Sequence, residues 1–189
     1  MGLMIHSLGE LPATVERGFY VYLLDYGWDD PLGHVVLDNI DRISDEASRN
    51  DAVFIRGVVG AHFTDEVLSW HHVNGQPGED ILPALLVTTR NPHQFREGQY
   101  GNHALAPRDR MLLIPLRAVC KSQADVAPLL KQLFADIRDK KKLSNFEVAK
   151  KLRAGKGNAI VDALILQPNV AGLGVNLNMI IDFLRGRRR

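Results

Sequence analysis

An α/β chain is predicted, and three features carry that prediction. Apolar runs rich in β-branched and aromatic residues recur at 19–25, 52–59, 81–88 and 111–119. Between the first two lies a helical stripe, Leu32, Val35, Val36, Ile40, Ile43 and Ala47. A second stripe, Val126, Leu129, Leu130, Leu133, Phe134 and Ile137, follows the last run. A composition of 46% hydrophobic and 24% charged residues over 189 positions is that of a globular protein able to bury a core without disulfides or metal.

Phe19-Tyr-Val-Tyr-Leu-Leu24 opens the series as a buried strand. Asp30 then suits an N-cap and Pro31 the first helical position, where its missing N–H costs nothing. One helix is expected over 31–49, closed by Arg49-Asn50. The strand at 52–59 follows it, so the unit reads as βαβ with parallel strands. Thr64 is expected to cap a short helix through Trp70, His71 and His72, and 74–78 to turn. Pro83 stands near the start of the third strand, a position suited to a cis bond or to a strand beginning beside a functional loop. Residues 90–109 read as a long polar loop. The fourth strand, 111–119, carries Pro115, which suggests an edge or a bulge. Ser122 caps the next helix.

Beyond residue 139 the pattern changes. Lys140-Lys141-Lys142 reads as a solvated basic linker, and Ser144 with Glu147 as a capping box opening a short basic helix to Ala154. A strand at 159–166, a turn-rich link at 168–174 and a last helix from Asn176 or Asn178 complete an α-β-α extension.

Trp28-Asp29-Asp30-Pro31-Leu32 resembles the W-C-G-P-C junction of thioredoxins, with Asp29 and Leu32 where the two cysteines would stand. Together with Pro83 and the order β-α-β-α-β-β-α over 19 to about 139, it implies a thioredoxin-like domain at 1–139 and a basic extension at 140–189. The resemblance implies no thiol–disulfide exchange. It also implies a partner-binding face at Trp28, Asp29 and Pro83, because thioredoxins grip extended peptides there. Flavodoxin-like layouts share the β-α-β-α-β opening and compete with this fold.

Charge is uneven. Residues 1–118 hold 9 basic and 16 acidic side chains, and 119–189 hold 14 and 6, giving −7 and +8. Lys140, Lys141, Lys142, Lys150, Lys151, Arg187 and Arg188 are therefore candidate contacts for an anion or nucleic acid. Only Phe146 and Phe183 accompany them, and both suit apolar helix faces better than a stacking platform. The segment P-N-V-A-G-L-G-V-N-L-N at 168–178 resembles C-terminal segments of bacterial conflict-system proteins, which implies a nucleic-acid-associated defence component as one alternative.

Asp25, Asp29 and Asp30 lie at a strand-to-helix junction, where α/β sheets place ligand sites. Asp29 or Asp30 with His72 would be the acid–base set of an enzyme acting on a phosphorylated or nucleotide substrate. Capping and helix-dipole roles explain the same carboxylates without chemistry. No two histidines stand three or four residues apart, so no metal and no cofactor is expected, although His62, His71 and His93 could converge in space. Cys120 is the single cysteine and excludes an internal disulfide. No secretory signal, myristoylation pattern or apolar run of about 18 residues is seen, so the chain is expected in the cytoplasm and not in a membrane. The leading expectation is a non-catalytic binding or scaffold subunit of a larger assembly of protein chains.

Overall fold

The computed structural model describes residues 1–75, 77–97, 111–156, 165–166 and 175–185. In chain order the strands are β1 (Gly2–Ile5), β2 (Phe19–Leu24), β3 (Ala52–Gly57), β4 (Val73–Asn74), β5 (Ala84–Thr88), β6 (Met111–Pro115), β7 (Ile165–Leu166) and β8 (Val175–Asn176). The helices are α1 (Pro31–Asp38), α2 (Ile40–Arg49), α3 (Gly60–Trp70), α4 (Pro92–Glu97), α5 (Leu116–Val119), α6 (Val126–Arg138), α7 (Glu147–Lys156) and α8 (Leu177–Arg185). The chain is mixed α/β.

Among the described residues the main sheet runs β1-β3-β2-β5-β6-β7, five full strands and the two-residue β7. β1 and β2 flank β3 in parallel; β5, β6 and β7 are each antiparallel to the neighbour before them. Every residue of β2, β5 and β6 is buried. Their unbroken apolar runs, in place of an alternating pattern, are what a sheet covered on both faces requires. Only the β2-to-β3 connection, through α1 and α2, joins parallel strands, since β5 runs antiparallel to both, and the helices that cover the sheet fall into two separate groups. Thus α1 and α2 pack with α6, while α3 packs with α4.

Several boundaries differ from those expected. The helix at 31–49 is two helices, broken at Asn39, whose side-chain amide donates to the Val35 carbonyl at 2.8 Å. An asparagine amide that bonds the backbone one turn back competes with the helical ladder. β3 stops at Gly57, and Val58 and Val59 lie outside it as exposed residues. Thr64 is interior to α3 rather than its cap: its hydroxyl accepts from the Asp25 N–H and donates to the Asp25 carbonyl, both at 3.0 Å. The run at 111–119 is strand only to Pro115 and then turns into α5. Strand β1 and helix α4 were not anticipated. The expected loop over 98–109, most of the strand at 159–166 and the turn at 168–174 lie outside the described residues.

The chain leaves α6 through a Schellman stop. Lys140, at φ 49°, donates its N–H to Ile137, and the Lys141 N–H reaches the Asp136 carbonyl at 3.1 Å. The side chain of Asp136, fully buried, then draws three groups together. It accepts from Gln132 Nε2 at 3.2 Å, Lys141 Nζ at 2.6 Å and the Glu147 N–H at 2.6 Å. The start of α7 is therefore held by an aspartate on the preceding helix, while Ser144, expected as its cap, lies within a 3-10 turn at Leu143–Asn145. Phe146 packs against Phe19 at 5.9 Å between ring centroids, and Leu143, Val148, Ala149 and Leu152 join the same apolar cluster as the sheet. The expected boundary after residue 139 falls within this continuous core. Because Asp136 is a buried acceptor with an ionic partner, Asp136→Ala should lower stability by roughly 3 kcal/mol. Urea unfolding of the purified variant measures this directly.

Candidate functional site

The loop 25–30 sits at the carboxyl end of β2, and its shape follows from its own residues. The Asp25 carboxylate accepts the Gly27 N–H at 2.9 Å, closing a tight turn in which Gly27 takes φ +74°. Gly60 allows the start of α3 to abut this loop: a Cβ there would lie 2.5 Å from the Asp25 carbonyl oxygen. Tyr26 donates to Asp65 on α3 at 2.7 Å. Burial first, and then that acidic partner, push the Tyr26 phenol well above its ordinary pKa.

Trp28 stands edge-on to Tyr26, 5.4 Å between centroids, and remains 39% exposed. Val58 and Val59, the two residues before Gly60, are 43% and 60% exposed. The junctions after β2 and β3, which meet where Gly60 abuts Asp25 and Gly27, therefore carry the exposed Trp28, Val58 and Val59. The valines escape a reading of sequence because β-branched residues at the end of an apolar run look like continued strand.

Asp30 behaves differently. It is almost fully buried, accepts the N–H groups of Leu32 and Gly33 at 2.8 and 3.1 Å, and pairs with Arg117 Nη2 at 2.6 Å. Burial opposes its ionisation, but the Arg117 hydrogen bond, the two N–H bonds and the guanidinium charge together outweigh it and hold the carboxyl below its ordinary pKa. Asp29 projects into solvent, 3.5 Å from Nε2 of His34. Its histidine neighbour is thus His34 rather than His72. His72 follows the far end of α3, about 16 Å of helix away from the loop, and faces the Phe95 carbonyl at 3.4 Å. The Leu82–Pro83 bond is cis, and Pro83 is buried, 3.6 Å from where a Cβ on Gly33 would lie. Of the three residues expected to form a partner face, Trp28 and Asp29 are open to solvent and Pro83 is buried against the first turn of α1.

The remaining candidates are dispersed. Lys141 is tied to Asp136, while Lys150 pairs with Glu147 at 2.7 Å. Lys140, Lys142 and Lys151 are exposed, and Arg187 and Arg188 lie outside the described residues. His71 is buried, donating from Nδ1 to the Val67 carbonyl at 2.7 Å, whereas His93 donates to Leu11 at 2.6 Å and His62 is exposed. Among the described residues no group of three or more His, Cys, Asp or Glu could hold a metal ion. Nor, among them, is any helix long and apolar enough to cross a membrane. Burial, and then the Asp125 charge, push the Cys120 thiol up to about 11, which leaves it unreactive at neutral pH. No protein-family model, curated protein or solved structure matches this chain.

Two measurements follow from these environments. Replacing Asp30 with Ala removes a helix cap but leaves only the part-solvated Arg117 without its partner, so stability should fall by roughly 2 kcal/mol, whereas Arg117→Ala leaves the buried carboxylate without its counter-charge and should cost roughly 3 kcal/mol. Urea midpoints of the two variants give the comparison.

The second concerns acid. Burial lowers the His71 pKa from 6.5 to about 4. Below pH 6.5 the unfolded chain therefore takes up a proton that the folded chain refuses, and stability falls as pH drops from about 6.5 to 4, by roughly 3 kcal/mol in total. The contribution of Asp30 is present above its ordinary value of 3.8 and is lost as pH falls through its lower folded value. Urea midpoints at stepped pH should slope through the first window in the native chain and flatten there in His71→Phe.

Proposed function

We propose that this chain is a non-catalytic binding or scaffold protein with a thioredoxin-like core, acting as a subunit of a larger assembly and holding another protein chain on the face formed by Trp28, Val58 and Val59. The observation that carries the reading is the exposure of these three large apolar side chains on adjoining loops at one end of the sheet. The element order β2-α1/α2-β3-α3-β5-β6-α6 supports the thioredoxin-like core, as does Pro83 at the head of β5 against the first turn of α1. At the two positions where thioredoxins carry cysteine, this chain has an exposed carboxylate, Asp29, and a half-buried Leu32. Neither can exchange a disulfide.

Absence of catalysis is part of the proposal. The most ordered carboxylate at the junction, Asp30, is committed to a cap and an ion pair, and Asp29 has no fixed geometry beyond its approach to His34. Exposed apolar side chains beside an exposed carboxylate, Asp29, suit recognition of a partner surface.

Affinity recovery with the native chain and with Trp28→Asp and Val59→Asp provides the test. Both substitutions fall on exposed positions, so circular dichroism and thermal unfolding should stay close to native. Specific partners held by the native chain should be lost from both variants, and the native chain should show no thiol-dependent reduction of insulin. Partners retained equally by both variants, or measurable reductase activity, would overturn the proposal.

A further inference from the structure

A groove of about 660 Å³ runs between the α1–α2 arm and α6, on the side of the sheet opposite α3. Val35 and Ile43 form one wall of its floor, Leu130 and Phe134 the other, and Asn39, where the arm breaks, lies between the first two. On the unbroken α6 wall the lining runs from Ala127 to Phe134, about 10 Å of helix. Its volume lies within the range of small-molecule sites, and its character matches them: a mostly apolar bed with few polar groups.

The charges at its rim select the ligand. Arg42 and Lys131 project from opposite walls and are exposed, and neither forms an ion pair among the described residues. The one carboxylate of the lining, Glu46, accepts from the Asn50 side chain at 3.4 Å. An anion placed between the walls would meet two cations and one partly engaged carboxylate, while an attached apolar chain would lie along Val35, Ile43, Leu130 and Phe134. We propose that this groove binds a free amphiphilic carboxylate with an unbranched acyl chain, its head group held between Arg42 and Lys131. The site is separate from the Trp28 face, and its occupancy does not depend on that face having a partner.

Titration of the full chain with decanoate, below the concentration at which it forms micelles, is the direct measurement. Calorimetry should show saturable binding of one molecule, and amide resonances of the residues around Val35, Ile43, Leu130 and Phe134 should move with the same isotherm. Reversing both rim charges, Arg42→Glu with Lys131→Glu, should weaken binding roughly tenfold or more. Both positions are exposed, so the fold should tolerate the change. Decyltrimethylammonium, of similar chain but opposite charge, should not bind the native chain. Ala127→Trp, at the exposed rim, should block decanoate by filling the opening. Absence of saturable binding, resonance shifts confined to other surfaces, or equal affinity of the charge-reversed protein would each overturn the assignment.

Discussion

Three adjacent strands, β2, β5 and β6, are buried along their whole length, and the architecture follows from covering them. A strand with one solvent face can alternate polar and apolar residues. A strand with two buried faces cannot, and these carry almost none of the side chains that water would solvate. Helices must therefore lie on both sides. Two groups of helices supply them, the α1–α2 arm with α6 and α3 with α4. The 25–30 loop lies at the carboxyl end of β2, against the start of α3.

That loop carries the strain of joining a buried strand to a helix within a few residues. Gly27 supplies the positive φ, Asp25 closes the turn, Thr64 pins the strand end to α3, and Asp30 starts α1. Arg117 fastens the helix start to the segment that follows β6, far away in sequence but adjacent across the sheet. The polar atoms of the junction are thereby bonded to one another. Trp28, Asp29 and His34 remain facing solvent. An acid–base centre needs a titratable group held in reach of substrate and free to exchange a proton. Asp30 is held but not free, and Asp29 is free but scarcely held.

The legible parts of this fold were those written in local pattern. The strands at 19–24, 84–88 and 111–115 and the stripe of α6 declare themselves because burial on two faces, or on one helical face, leaves a periodic trace. Asp30 and Pro31 were equally plain, since capping is a property of neighbours. β1 was not, because four residues, Gly-Leu-Met-Ile, make no period. The partners of Asp30 and Asp136 were hidden for a different reason. A buried aspartate with an arginine or lysine partner looks, in sequence, like any surface aspartate. Val58 and Val59 reversed the usual error: their β propensity suggested burial, and the turn into α3 exposed them.

Lys140 and Lys141 show how a charge run can mislead in the same way. A triplet of lysines suggests a polyanion surface, yet each of the first two has a structural part. Lys140 occupies the left-handed position that ends α6, and Lys141 neutralises Asp136 beneath the start of α7. Without Lys141, the carboxylate that orders the turn would be buried with no counter-charge, a state far costlier than an exposed lysine gains. The Asp136 hydrogen bond is the first cause of the raised Lys141 pKa, as expected of a cation that helps to complete a polar cluster in the turn. Positive charge near residue 140 is thus partly a requirement of folding. Its density measures the need to join α6 to α7 before it measures affinity for a phosphate backbone.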